Sequence, residues 1–189
     1  RFVYAASSSC YGLPDTFPTP ETAPIRPMYP YALTKYLGEQ YVMHWANVYG
    51  MKAVSLRLFN VYGPRMDVEG DYATVIGKFL RLKSEGKPLT IIGDGKQTRD
   101  FTNVRDVAEA NVLASQIEKG GGEVINIGAG SNHSVQEIAD IIGGEHAHVP
   151  ERPGEVRDTL ADIGKAKRIL GWEPKVSLKD GISQLINNV

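Results

Sequence analysis

Phe2-Val3-Tyr4-Ala5-Ala6-Ser7-Ser8-Ser9-Cys10-Tyr11-Gly12 decides the fold class. Its opening predicts a short buried strand, and three serines and a glycine follow at once. An apolar run bounded by turn residues is how a strand of a parallel sheet reads. In open α/β sheets, ligands bind at the carboxyl ends of strands, so the serines stand where a site belongs. The structural alternative for them is a capped turn. Residues 13–30 hold six prolines and predict an irregular connection. A helix is expected over 31–48, ended by Tyr49-Gly50, then a strand over 53–59 that delivers Asn60 to its carboxyl end. Further along, the pattern predicts a helix over 72–85 closed by Gly86 and a strand over 89–92 with a Gly93-Asp94-Gly95 turn. A helix over 104–119 has Asn103 as its N-cap, and a strand follows over 124–127. Ser134 and Glu137 match a capping box, His146-Ala147-His148 reads as a short strand or loop, and helices are expected over 163–170 and 178–187. Strands alternating with helices predict an α/β protein.

Composition agrees and removes several function classes. The hydrophobic fraction is 42% and the charged fraction 23%, both near globular averages. A net charge of −1 gives no electrostatic case for nucleic acid or an acidic membrane. No apolar run reaches the roughly 20 residues that a helical membrane span needs. The single Cys10 excludes an intrachain disulfide and fits a reducing compartment, so a cytoplasmic location is expected. The four histidines lack ligand-like neighbours, and no metal is expected.

The chemistry concentrates at Pro30-Tyr31-Ala32-Leu33-Thr34-Lys35. Residues four apart share a helix face, so Tyr31 and Lys35 can point into one cleft. An ammonium beside a phenol favours the phenolate. Such a phenol can take a proton from a sugar or alcohol hydroxyl and return it. A serine from the cluster can hold the same oxygen. This is the equipment needed to let a hydride leave a carbon bearing a hydroxyl.

Further blocks stand in order: Leu56-Arg57-Leu58-Phe59-Asn60-Val61-Tyr62-Gly63-Pro64, Gly93-Asp94-Gly95, Thr98-Arg99-Asp100-Phe101, Arg105-Asp106-Val107-Ala108, Asn126-Ile127-Gly128 and Arg152-Pro153-Gly154-Glu155. With the serine and Tyr31–Lys35 blocks, the chain resembles the nucleotide-sugar epimerases and dehydratases of the extended short-chain dehydrogenase/reductase family, over essentially its whole length. The resemblance implies a partial Rossmann-like, doubly wound parallel sheet with a smaller α/β substrate-binding domain. Residues 1–65 and 100–130 would belong to the NAD-binding unit, and 66–99 and 131–189 to the nucleotide-sugar unit. It implies that Tyr31 is the catalytic base and acid, and that Lys35 holds the nicotinamide ribose of NAD and tunes the tyrosine. Ser7, four residues before Tyr11, would be the catalytic serine. Leu58 and Phe59 would lie beside the nicotinamide, with Phe59 read as ordinary core. Asn60, Arg99 and Arg152 would contact the diphosphate, Glu155 the nucleotide ribose, and Thr74 and Val75 the nucleobase. Thr159 would face the 2-substituent of the sugar, where a small residue leaves room for an N-acetyl group.

Two departures shape the expectation. Dehydratases and decarboxylases of the family commonly carry acids at the two positions after the catalytic serine. Here Ser8 and Ser9 stand there, on the substrate side, and cannot do acid/base work at neutral pH. That favours a 4-epimerase acting on a nucleotide sugar, UDP-sugars favoured, with a non-catalytic nucleotide-sugar-binding unit as the alternative of another class. No G-x-x-G-x-x-G or G-x-G-x-x-G run opens the chain, and Gly120-Gly121-Gly122 precedes a strand rather than following one. The chain is therefore expected to correspond to the C-terminal part of a longer enzyme, inactive alone, and to assemble as a homo-oligomer because such a part leaves a sheet edge and apolar faces uncovered.

Overall fold

The computed structural model describes residues 1–70, 73–117, 122–151 and 156–187. Tyr72, Lys119, Gly120, Gly121 and the block Arg152-Pro153-Gly154-Glu155 lie outside the described residues. Strand β1 (Phe2–Ser7) runs into a 3-10 turn (Ser8–Tyr11), and the chain then reaches helix α1 (Pro30–Tyr49). Next come β2 (Ala53–Leu58), β3 (Val61–Tyr62), α2 (Val75–Ser84), β4 (Leu89–Ile92), β5 (Thr98–Arg99) and β6 (Thr102–Asn103). The remainder is α3 (Val104–Gln116), β7 (Glu123–Ile127), β8 (His133–Ser134), α4 (Val135–Ile142), β9 (His146–Val149), α5 (Gly164–Leu170) and α6 (Leu178–Ile186).

The main sheet is parallel, in the order β1-β2-β7, with Ser7 opposite Leu58 and Leu58 opposite Ile127. The register brings the three strands to a common carboxyl edge. β2 is the middle strand and is buried on both faces. Val54 and Leu56 pack on one face with Ala110 of α3, Ala166 and Leu170 of α5, and Trp172. Ser55 and Arg57, on the other face by strand alternation, meet α1 instead. A second core gathers Ile76 and Phe79 of α2, Ile91 of β4, Ile138 of α4 and Ile182 of α6. β4 pairs with β9 in parallel beside that core. Because α5 and Trp172 pack on the main sheet, a division of the chain at residue 131 would cut through a core.

Local chemistry explains the element ends. α1 starts one residue before the expected Tyr31, at Pro30, whose missing N–H and fixed φ suit the first helical position. It ends at Gly50, which at φ 68 adopts the left-handed conformation that closes a helix cheaply. α2 begins at Val75, not 72, because the Thr74 hydroxyl caps the Gly77 N–H. Its last residue is Ser84 rather than Glu85, and α3 stops at Gln116 rather than 119. Ile163 is the N-cap of α5, not its first residue, and α6 ends at Ile186. The Ser134–Glu137 capping box is present as read.

The two-residue pairs β3–β6 and β5–β8 were not anticipated. From Leu13 to Tyr29 the proline-rich stretch carries no helix or strand, yet it is stitched down. Thr19 N–H donates to Leu160 O at 2.8 Å and Asp162 N–H donates to Thr19 O at 3.0 Å. On its other side, residues 157–162 bond to Thr98, with Thr98 N–H to Arg157 O at 2.9 Å and Thr159 N–H to Thr98 O at 3.2 Å. This clamped segment forms a wall of the site.

Candidate active site

The carboxyl ends of β1 and β2 open onto a cavity of about 510 Å³. Ser7, Ser8, Ser9, Tyr31, Lys35, Leu58, Asn60, Thr74, Arg99 and Thr159 all line it. A second cavity of about 500 Å³ adjoins it and includes Val75. Asn60, Thr74 and Arg99 line both, so they form a polar waist between two compartments. Thus every described residue singled out from the sequence lies on one of these cavities, Val75 on the second only. Arg152 and Glu155 lie outside the described residues. Phe59 is 2% exposed and packs with Tyr11, Cys10 and Ala161, which makes it core.

Ser7 caps the 3-10 turn. Its hydroxyl oxygen accepts from Ser9 N–H at 3.2 Å and from Ser9 Oγ at 2.9 Å. A hydroxyl has two acceptor sites and one donor. With both acceptor sites engaged, the O–H of Ser7 is what it can offer to the cavity. Tyr31 stands in the first turn of α1, where the helix faces the cavity. Lys35, one turn on, places Nζ 5.9 Å from the Tyr31 ring centroid and 5.8 Å from that of Tyr4. Its ammonium also donates to Ala5 O at 3.0 Å, which fixes it at the end of β1. An ammonium carries three donors, so further donors remain for a ligand.

Asn60 follows β2 with φ 28, a conformation rare outside glycine and asparagine. Its amide donates to Asp100 O at 2.9 Å and to Thr159 Oγ1 at 3.1 Å. Thr159 Oγ1 also accepts from Asp100 N–H at 3.1 Å. Arg99 is braced by Thr98 O at 2.9 Å and Arg157 O at 3.0 Å, both through Nη1. A braced guanidinium presents the planar fork that suits phosphate oxygens.

Three supporting residues were not recognised from sequence: Glu39, Arg57 and Asp100. Glu39 continues the row Tyr31, Lys35 on α1 and is buried. Its carboxylate accepts from Arg57 Nη2 at 2.6 Å, Arg57 Nε at 3.0 Å and Ser55 Oγ at 2.9 Å. Arg57 Nη1 donates to Tyr11 OH at 2.8 Å, and Tyr11 OH donates to Asn126 Oδ1 at 2.7 Å. Burial pushes the Tyr11 phenol well above its usual range, so it acts as a neutral relay of hydrogen bonds. The available signal was an arginine inside a strand otherwise built for burial, since a buried charge needs a partner. Asp100 is 0% exposed, and burial pushes its carboxyl up to about 6. Burial likewise raises the Cys10 thiol to about 11, which leaves it no nucleophilic part. Among the described residues no cluster fit for a metal ion occurs, and no helix is long and apolar enough to cross a membrane.

Residues 1–185 match the family described as GDP-mannose 4,6 dehydratase. A putative UDP-glucose 4-epimerase of Methanocaldococcus jannaschii is 41% identical over 194 residues, which cover 99% of this chain and 62% of that protein. The structure of a UDP-glucose 4-epimerase from Thermotoga maritima with UDP-glucose superimposes with a TM-score of 0.91 at 39% identity, over 98% of this chain and 62% of that one. A UDP-glucuronic acid 4-epimerase from Bacillus cereus, in complex with UDP-glucuronic acid and NAD, gives 0.88 at 34% identity, over 99% and 61%. The chain spans about three-fifths of the length of these relatives.

Proposed function

We propose, from the premise that the chain belongs to the nucleotide-sugar epimerase and dehydratase family described as GDP-mannose 4,6 dehydratase, that this protein is an NAD-dependent 4-epimerase of a nucleotide sugar, with UDP-sugars favoured. One observation carries the choice of reaction. Among the described residues that line the catalytic cavity there is no Asp or Glu. Dehydration needs further acid/base groups beside the tyrosine and decarboxylation a proton donor at C5, whereas epimerisation needs only one proton acceptor and donor at one hydroxyl.

The side chains present fit the nicotinamide–ribose end of NAD. Lys35 offers ammonium donors, Tyr31 a phenol, and Leu58 an apolar wall, all on one cavity. No G-x-G-x-x-G or G-x-x-G-x-x-G run, the glycine-rich turn that cradles a pyrophosphate, occurs in these 189 residues. This stretch alone is therefore proposed not to turn over, since such turns and helix N-termini supply most dinucleotide contacts. When bound, NAD supplies a reversible hydride acceptor. Tyr31 removes the proton from the sugar 4-hydroxyl while the Ser7 O–H holds that oxygen. Lys35 holds its ammonium beside the Tyr31 ring. With NAD bound, a 4-keto sugar would be able to turn within the cavity, and Tyr31 would return the proton to the C4 oxygen. Arg99, at the waist, holds the diphosphate through charge-assisted hydrogen bonds, and Asn60, whose two amide hydrogens go to Asp100 O and Thr159 Oγ1, fixes the waist beside it.

Thr159 limits the space beside the sugar 2-substituent, and its small side chain leaves room for an N-acetyl group. UDP-N-acetylglucosamine and UDP-N-acetylgalactosamine are accepted alongside UDP-glucose and UDP-galactose on this reading. The test is product analysis with the complete protein. Interconversion of C4 epimers with all oxygens retained supports it, while a 4-keto-6-deoxy sugar or loss of carbon dioxide would refute it. Thr159→Tyr should lose the acetylated pair by tenfold or more relative to the plain pair, the scale on which pockets discriminate bulk. Equal losses would remove Thr159 as the gate.

A further inference from the structure

We infer that Asp100 is a positioning residue that sets the width of the sugar pocket by holding the wall that carries Thr159. This rests on the nucleotide-sugar reading of the cavity. Asp100 lines neither cavity. Its side chain instead ties together two separate segments. One carboxylate oxygen accepts from Ala129 N–H at 2.6 Å, and the other accepts from Gly130 N–H at 3.1 Å and Ala161 N–H at 3.0 Å. Ala161 lies two residues beyond Thr159 in the wall. The backbone of Asp100 completes the hold, its N–H donating to Thr159 Oγ1 and its carbonyl accepting from Asn60. One residue thus fixes the wall at its backbone, its gate hydroxyl and the side chain opposite.

An independent feature marks the same junction as tight. A Cβ added to Gly128 would collide with Ala161 Cβ and lie 2.8 Å from Asp100 Oδ2. The turn after β7, the Asp100 carboxylate and the wall are therefore in contact with no slack. An amide in place of the carboxylate cannot serve all three N–H donors. In Asp100→Asn one face of the group becomes NH₂ and opposes backbone N–H. The wall then moves, and with it the space at the sugar 2-position.

The discriminating readout is a ratio. Partial unfolding lowers the binding-competent fraction and weakens every ligand by the same factor. It leaves the ratio of Kd values for UDP-glucose and UDP-N-acetylglucosamine unchanged. A displaced wall changes that ratio. Calorimetric titration of the complete protein with both ligands at pH 8, where Asp100 is charged, is the experiment. Asp100→Asn should shift the ratio by about tenfold, the worth of roughly one misplaced methylene in a pocket. Gly128→Ala, which presses on the wall from the other side, is the second variant and decides the matter if Asp100→Asn does not fold. An unchanged ratio in a folded variant of either kind, with the wild type binding both ligands, overturns the inference. Failure of the wild type to bind either ligand overturns the nucleotide-sugar reading, and the inference falls with it.

Discussion

Replacing Glu39 alone should harm this protein more than replacing Glu39 and Arg57 together. The side chains are 1% and 5% exposed, and the carboxylate holds three hydrogen bonds, two of them from the guanidinium. Glu39→Met leaves a buried guanidinium without its counter-charge, and Arg57→Met leaves a buried carboxylate. Either change should cost about 3–5 kcal/mol. In the double variant both charges are gone, and with them both desolvation penalties. What remains is the Ser55 hydroxyl without its acceptor, a loss of about 1–3 kcal/mol, and Tyr11 OH and Glu21 O without the Arg57 donor, Tyr11 still donating to Asn126 Oδ1. The double variant should therefore be more stable than either single one. Its departure from additivity should far exceed the roughly 0.5 kcal/mol within which independent sites add. Urea unfolding at pH 7, followed by the fluorescence of the buried Trp172, measures all four proteins. At about 2–4 °C per kcal/mol for a chain of this size, each single variant should lose roughly 6–20 °C in Tm. Strict additivity, or a single variant costing under about 1 kcal/mol, would refute the reasoning. There is a second layer, because Glu39 shares a helix face with Tyr31 and Lys35 and Arg57 bonds Tyr11 of the serine turn. The stable double variant should still lose kcat in the complete protein with little change in KM, since it no longer fixes the rotation of α1 against the turn.

Tyr31→Phe should reduce turnover by about 10²–10⁴-fold, the usual worth of a positioned acid/base, while calorimetric affinity for UDP-glucose stays near wild type; parallel losses in both would remove the proton-transfer role. Arg99→Ala should act the other way, weakening nucleotide-sugar binding by about tenfold or more through loss of a charge-assisted contact, and an unchanged Kd would take Arg99 off the diphosphate. The Asp100 carboxyl, raised to about 6 from an ordinary 3.8, makes the native state prefer its protonated form. Its stabilising contribution is therefore complete below about pH 4 and lost as pH rises through about 6, a change of about 3 kcal/mol for a two-unit shift. His133 lies near enough to oppose this shift, so the pH profile of unfolding in wild type should be compared with Asp100→Asn and with Asp100→Asn carrying His133→Gln. A profile identical in wild type and Asp100→Asn would show that Asp100 titrates in the ordinary range.

What was legible in the sequence had either length or punctuation. β1 and β2 read as apolar runs ending in turn residues, α1 as a long segment between Pro30 and Gly50, and α4 through its Ser134–Glu137 box. That Tyr31, Lys35 and the serines would line one cavity was legible because helix spacing and strand ends are local properties. The two-residue strands β3, β5, β6 and β8 have no period to detect. The wall at residues 157–162 is held by Thr19 and Thr98, distant in sequence, so nothing nearby announces it. Asp100 was passed over for its neighbour Arg99 because its partners are backbone N–H groups, which leave no trace in residue identity. Glu39 was readable in principle. It stands four residues after Lys35, and Arg57 alternates with Leu56 and Leu58 in a strand whose neighbours are all apolar or small. A charge on each of two facing buried surfaces implies a pair, but only once the packing of α1 on β2 is known.

The distribution of polar groups along the two cavities bears on how a 4-epimerase must hold its substrate. A keto sugar that presents both faces to one hydride cannot be gripped at the reacting ring. Binding energy has to come from the part of the ligand that does not react. The cavities follow that requirement. The serine–tyrosine compartment offers hydroxyls, from Ser7, Ser8, Ser9, Tyr31 and Thr159, and its cations, Lys35 and Arg99, stand against Ala5 at one end and at the waist. The guanidinium of Arg99 stands where the compartments join, at the proposed position of the diphosphate, with Asn60 bracing the wall beside it. Beyond the waist, Val75 and Phe101 give the second compartment an apolar lining suited to a nucleobase. Hydroxyls hold a ring weakly and can exchange partners as it turns, while the anchored diphosphate keeps the sugar from leaving. An enzyme built to dehydrate or decarboxylate gains nothing from this looseness, because its substrate reacts in one orientation. The same asymmetry explains why the wall needs so rigid a support. When the ring itself is loosely held, the shape of the pocket is what selects among sugars, and a wall free to shift would select nothing.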